Sequence, residues 1–164
     1  MARFTHIDEE GNARMVDVGQ KAVTQRRATA TGTITMSPAC FDAVVQDTVK
    51  KGDVLTIAQV AGIMGAKETS RLIPLCHLLQ LTKATLTFSL CDATHSITAC
   101  CTTQCDGKTG VEMEALTGVS IALLTIYDMC KAIDKAMTMG NIHLVEKEGG
   151  KSGHFVYEGV HRDD

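Results

Sequence analysis

Residues 28–36 read Ala28-Thr29-Ala30-Thr31-Gly32-Thr33-Ile34-Thr35-Met36. Every second position is apolar or glycine and the positions between are threonine, the period-two pattern of a strand with one face in a core and the other toward water. Downstream, Ser37-Pro38 supplies a helix N-cap and a proline at the first helical position. Phe41, Val44, Val45 and Val49 give that helix its apolar side, and Lys51-Gly52 ends it. Asp53 caps a second helix whose core stripe is Ile57, Val60, Ala61 and Met64, and which stops before Pro74. Alternation returns over 82–90 and 96–105, followed by the turn signal Asp106-Gly107. Val111, Met113 and Ala115 alternate with Glu112 and Glu114, which predicts a strand paired to the one before. Thr117 then caps a helix running to about Met139, with Gly140 as its stop. Short strands over 142–147 and 154–158 flank Gly149-Gly150-Lys151-Ser152-Gly153. Strands joined by turns outnumber strand–helix–strand crossovers, so the predicted class is α+β, a mostly antiparallel sheet with helices packed on one face. Upstream, residues 1–25 are polar apart from Met15-Val16-Asp17-Val18 and read as an arm with a loop, leaving 26–164 as a single α+β domain.

The 164 residues suit one domain, which at this size buries roughly 70% of its unfolded surface without a staple. Sixteen Lys and Arg against nineteen Asp and Glu give a net charge of -3, which lacks the broad basic field of a duplex nucleic-acid binder. No Trp, two Tyr and four Phe also supply base stacking poorly. No charge-free apolar run reaches about 18 residues, and Met1-Ala2-Arg3-Phe4-Thr5-His6 has no apolar signal core, so neither a membrane nor an export signal is expected. Seven cysteines, odd in number and without a Cys-x-x-Cys pair, read as buried reduced thiols in the cytoplasm rather than as disulfides or a metal site.

Four features could carry chemistry. From 119 to 129 almost every residue is apolar or small, which suggests that part of this helix faces another subunit. Asp128 and Lys131, three apart on that helix, are either a salt bridge or a carboxylate–ammonium pair tuned in a low-dielectric pocket for proton transfer. Glu112 and Glu114 point the same way from the predicted strand, toward solvent or toward a ligand. The proline-bent run Arg71-Leu72-Ile73-Pro74-Leu75-Cys76-His77 ends on a histidine at an element boundary, where sites collect and where structural histidines also sit. Arg26, Lys51, Lys67, Arg71, Lys131, Lys147 and Lys151 recur at element ends and either scatter or gather into an anion site. Gly150-Lys151-Ser152 imitates a P-loop, but Val145 stands where the first glycine belongs and a strand pattern follows.

Six blocks in order, Met-Val-Asp-Val at 15–18, Lys-Gly-Asp-Val at 51–54, Leu-Ile-Pro-Leu-Cys-His at 72–77, Thr-Gly-Val-Glu-Met-Glu-Ala-Leu at 109–116, Thr-Ile-Tyr-Asp-Met-Cys-Lys-Ala at 125–132 and Gly-Gly-Lys-Ser-Gly at 149–153, resemble the MoaC family across essentially the whole chain. Leu78 and His154 depart from the family pattern, which has proline and aspartate there. The resemblance implies a ferredoxin-like α+β fold and a lyase of molybdenum cofactor biosynthesis. Its expected reaction turns a cyclised dihydroguanosine triphosphate into cyclic pyranopterin monophosphate with loss of diphosphate. It implies Asp128, Lys51, Lys131 and His77 as catalytic, and Leu75, Cys76, His77, Glu112, Met113 and Glu114 as substrate-binding. Arg26, Lys67, Lys147 and Lys151 are expected phosphate partners. It further implies a homohexamer, a trimer of dimers with sites at the dimer boundary. No cofactor or protein-held metal is expected, Mg2+ entering only with the substrate phosphates. A Cys/His metalloprotein, a nucleotide-sensing module and a lysine Schiff-base enzyme are the alternative readings.

Overall fold

A computed structural model of the chain describes residues 6–8, 10–151 and 153–159. Residues 1–5, part of the expected arm, and Ser152 of the glycine-rich block lie outside the described residues. The alternating stretch is the central strand, β1 (Thr24–Thr35), which begins four residues earlier than its apolar pattern. Arg26, Ala28, Ala30, Gly32 and Ile34 are buried on one side of it. On the other, the Thr29 and Thr102 hydroxyls pair at 2.8 Å and those of Thr33 and Thr98 at 3.0 Å. Such cross-strand threonine pairs are why that face tolerates a polar lining.

β1 pairs antiparallel with β3 (Ser96–Gly107) on one flank and β4 (Thr138–Glu148) on the other. β2 (Lys83–Cys91) borders β3 and the short β5 (Phe155–Val156) borders β4, giving the order β2-β3-β1-β4-β5, antiparallel throughout. The helices are α1 (Pro38–Val45), α2 (Val54–Lys67), the single turn α3 (Thr69–Leu72) and α4 (Glu112–Cys130). α2 and α4 supply the two helical crossovers of a β-α-β-β-α-β chain path, so the fold is α+β with the ferredoxin-like strand order. Ile34, Leu86, Ile97, Val119, Leu123 and Ile126 form the centre of the core between sheet and helices.

Two of the three predicted caps form: the Ser37 hydroxyl accepts from Cys40 N–H at 3.4 Å and the Asp53 carboxylate from Thr56 N–H at 3.0 Å. Thr117 is not a cap, because its helix begins five residues earlier and Thr117 is buried within it. Several expectations are corrected. The first helix ends at Val45 rather than Lys51, because Asp47 takes a left-handed conformation (φ 52°) and Thr48 N–H turns back onto the Ala43 carbonyl at 2.9 Å. On α2 the stripe Ile57, Val60 and Met64 is exposed, and the buried face is Val54, Ala58, Gly62, Gly65 and Ala66. α2 lies so close to α4 that a Cβ on Gly62 would stand 2.8 Å from the Gly118 carbonyl oxygen, so only small residues fit the contact.

Residues 112–115 open α4 and are not a strand. Val111, Ala115, Val119, Ala122 and Ile126 recur at helical spacing, each at most 1% exposed, and that period overrides a five-residue alternation. Glu112 and Glu114 sit in the first turn, where the positive end of the helix favours carboxylates. α4 then ends at Cys130, not Met139: the Asp134 carboxylate accepts from the backbone of Ser37 (2.7 Å) and Ala136 (2.8 Å), turning the chain into β4, where Gly140 lies. By length and composition α4 could cross a membrane, but half of it is buried against the sheet and α2 as a core helix. Cys40, Cys101, Cys105 and Cys130 are buried, Cys76 and Cys100 partly so, and Cys91 is exposed against expectation.

Candidate active site

Most of the sequence-predicted groups collect at the two ends of α4. At its N-terminal end, two contiguous cavities share Lys21, Thr109, Gly110 and Glu112. The larger, about 600 Å³, is lined by the cations Lys21, Arg26, Lys108, Lys147 and Lys151. Its carboxylate among the described residues is Glu112. Arg26 projects inward from β1, 9% exposed, with Nε donating to the Gly107 carbonyl at 3.3 Å. Gly149 (φ 95°) and Gly150 (φ 80°) wrap this guanidinium, and a Cβ on Gly150 would collide with it. Only glycine satisfies both the backbone angle and the space. Lys147 Nζ stands 3.6 Å from Glu112 Oε1.

The smaller cavity, about 330 Å³, is lined by Leu75, Cys76, His77, Met113 and Glu114, with Val16, Val18 and His6 of the arm as a further wall. Glu114 is 5% exposed. Burial pushes its carboxyl up to about 7, its own backbone N–H opposing and the neighbouring Glu112 charge adding to the rise. Burial likewise raises the Cys76 thiol, with the Glu114 charge assisting. His77 Nε2 lies 2.8 Å from the Val16 carbonyl oxygen, so this nitrogen carries a hydrogen and donates it to the arm.

At the other end, Lys51, from the loop between α1 and α2, donates to the Asp128 carbonyl at 2.9 Å and to Oδ2 at 3.0 Å. Lys131 donates to Asp128 Oδ1 at 2.6 Å. The three side chains are about half exposed, at 48%, 58% and 52% for Lys51, Asp128 and Lys131. Hydrogen bonds from Lys131 and then Lys51 hold the Asp128 carboxyl below the usual carboxylate range, and Asp128 in turn raises Lys131. The expected low-dielectric pocket is therefore not formed by one chain: here the pair is an open ionic cluster, each member stabilised in its charged form.

The sixteen-residue step along α4 from Glu112 to Asp128 spans about 24 Å at 1.5 Å per residue. Leu75, Cys76, His77, Glu112, Met113, Glu114, Arg26, Lys147 and Lys151 thus converge at one end, and Lys51, Asp128 and Lys131 at the other. Lys67 is exposed at the end of α2 and lines neither cavity, and Arg71 pairs with Glu68 at 3.2 Å. Lys21 and Lys108 were not legible as site residues. Lys21 sits in an arm without periodicity, while Lys108 follows a turn signal, a place that could have marked it. Glu146, Glu148 and His154 lie close enough to share a metal ion, but Arg27 already pairs with Glu146 (3.3 Å) and Glu148 (3.7 Å), and His154 donates to Glu146 at 2.8 Å.

Residues 15–150 match the model of the MoaC family. A protein of Clostridium botulinum is 58% identical over 156 residues, 95% of this chain and 98% of its own length. One from Limosilactobacillus fermentum is 57% identical over 154 residues, covering 94% and 93%. One from Chloroflexus aggregans is 54% identical over 156 residues, covering 95% and 94%. All three bear the name cyclic pyranopterin monophosphate synthase. With its motif blocks in order, its cationic cleft and a family match spanning most of its length, the chain belongs to the MoaC family.

Proposed function

We propose that the chain is a cyclic pyranopterin monophosphate synthase, a lyase of molybdenum cofactor biosynthesis. It converts (8S)-3',8-cyclo-7,8-dihydroguanosine 5'-triphosphate into cyclic pyranopterin monophosphate and diphosphate. The observation that carries this reading is the cleft at the start of α4, where a five-cation cavity opens directly into a pocket of thiol, imidazole and carboxyl groups. A triphosphate fits the first and a polar ring system the second.

Arg26, Lys147 and Lys151 hold the phosphates, with Lys21 and Lys108 beside them, and Leu75, Cys76, Glu112, Met113 and Glu114 surround the ring. A sugar hydroxyl attacks the innermost phosphorus while diphosphate leaves, so cations placed in advance meet the charge that develops on the leaving group. Rebuilding the ring moves protons on and off nitrogen and oxygen. Lys51 and Lys131 donate protons and stabilise charge, and Asp128 holds both amines in place. The reaction draws on no resident cofactor, and a divalent ion enters with the phosphates.

Because the two ends of α4 are about 24 Å apart, these groups meet on one substrate only when a second copy brings its Lys51, Asp128 and Lys131 to the first copy's cleft. The exposed apolar residues Ile57, Val60 and Met64 of α2 and Leu124 of α4 support burial against such a copy, within a cytoplasmic hexamer built as a trimer of dimers. Desolvation there would reverse the ionic bias of the Asp128 cluster toward proton transfer. Incubating the purified protein with the cyclised triphosphate should release one diphosphate per pterin product. Tight binding without diphosphate release would overturn the catalytic reading and leave a recognition module.

A further inference from the structure

We infer that residues 15–21 of the N-terminal arm are a strap clasped over the site, that His77 is a positioning residue gripping it rather than a proton-transfer group, and that the strap places Lys21 as a phosphate-binding cation. This rests on the function proposed above.

The arm is gripped twice by side chains of the folded body, each time through a backbone carbonyl. His77 Nε2–H donates to the Val16 carbonyl at 2.8 Å, and Lys108 Nζ donates to the Gly19 carbonyl at 2.6 Å. Between and after these grips the strap folds on itself. The Asp17 carboxylate accepts from Gly19 N–H at 2.7 Å, and Lys21 N–H donates to the Val18 carbonyl at 3.0 Å. The path of the chain at Lys21 therefore follows directly from the two clasps. Lys21 lines both cavities, at the junction where a triphosphate would leave the ring pocket. It makes no ion pair among the described residues, so its ammonium is available to an anion. A hydrogen bond to a charged group is stronger than one between neutral groups, so this ammonium can contribute to substrate affinity.

The donating nitrogen of His77 is committed to the strap, so its loss should act through Lys21 and not through chemistry. Three variants of the full chain separate the roles. His77→Phe removes the clasp, His77→Gln keeps an N–H that can reach the Val16 carbonyl, and Lys21→Met removes only the cation. Amide hydrogen exchange over residues 15–21 reports the strap, and steady-state diphosphate release reports KM and kcat separately. His77→Phe should speed exchange across the strap and raise KM about tenfold, the equivalent of about 1.4 kcal/mol, with kcat within about threefold of wild type. His77→Gln should restore both. Lys21→Met should raise KM about tenfold and leave exchange unchanged.

The inference is overturned if His77→Gln loses kcat as fully as His77→Phe, or if Lys21→Met leaves KM within twofold of wild type. Should His77→Phe fail to fold, Lys108→Met removes the second clasp, and unchanged exchange over residues 15–21 in that variant also overturns it. Wild-type protein that turns over no substrate defeats the proposed reaction, whereas the exchange measurements still decide the clasp.

Discussion

The two ends of α4 hold the same kinds of group in opposite conditions. At the N-terminus the carboxyl of Glu114 is buried and raised to about 7, and Glu112 is half-buried beside Lys147. At the C-terminus Asp128 is held low by two half-exposed ammonium groups. The polarity of the helix suits both placements, since its first turn favours carboxylates and anions and its last favours cations. What differs is water. Where the chain covers its own carboxyl, a proton can reside on it near neutral pH. Where it does not, opposite charges only lock one another in the ionised state. Under the proposed function the exposed end is half of a site, and its dry surroundings come from a second copy.

The sharpest way to break this comparison is to inactivate each end separately. Asp128→Asn should cut turnover about 10²- to 10⁴-fold with little change in melting temperature, because the cluster it leaves is exposed. Arg26→Met should cut it similarly when substrate is limiting. Refolding the two variants together should recover about a quarter of wild-type sites if each site draws one end from each copy, since random pairing makes half of the dimers mixed with one intact site apiece. No recovery would mean that each chain works alone. Next in size, Lys51→Ala should lose about a hundredfold in kcat with KM nearly kept, whereas Lys147→Met should raise KM about tenfold or more and weaken the salt dependence of substrate binding. Wild-type turnover by Lys51→Ala would remove the exposed end from the mechanism.

A smaller effect concerns stability. Glu114 keeps a proton in the folded state from its ordinary value of 4.5 up to about 7, a proton that the unfolded chain has already released. Stability contributed by this group is therefore present below about pH 4.5 and lost as pH rises through about 7. Glu114→Gln should flatten that dependence and stabilise the protein by about 1–3 kcal/mol at pH 8, measured by denaturant unfolding. An unchanged pH profile would show that Glu114 is not desolvated. Smallest of all, Lys67→Ala should leave kcat and KM within twofold, since Lys67 lines neither cavity.

Much of this was legible in advance. The alternation over 28–36, the caps Ser37 and Asp53 and the α+β class are local properties of the chain, and the structure keeps them. Many of the residues that line the two cavities were also singled out in advance, because carboxylates, cations and a histidine recur at element ends. The errors arose where local pattern competes with packing. Val111 to Ala115 alternates like a strand over five residues, yet its helical period becomes visible only when Val119, Ala122 and Ile126 are counted with it. Ile57, Val60 and Met64 look like a core stripe, but Gly62 and Gly118 allow so close a contact that the large side chains are left outside.

The amino-acid sequence alone determined the central strand, the caps of α1 and α2, the family and the chemical inventory, because capping, alternation and motif order are written along the chain. Only tertiary structure decided which groups share water and which share a cavity. Turning Glu112 and Glu114 into the first turn of a helix buries one of them, and a rise of 1.5 Å per residue carries Asp128 out of reach at the far end. Distance and desolvation are properties of the folded body, and on them depend both the raised carboxyl at one end of α4 and the ionic lock at the other.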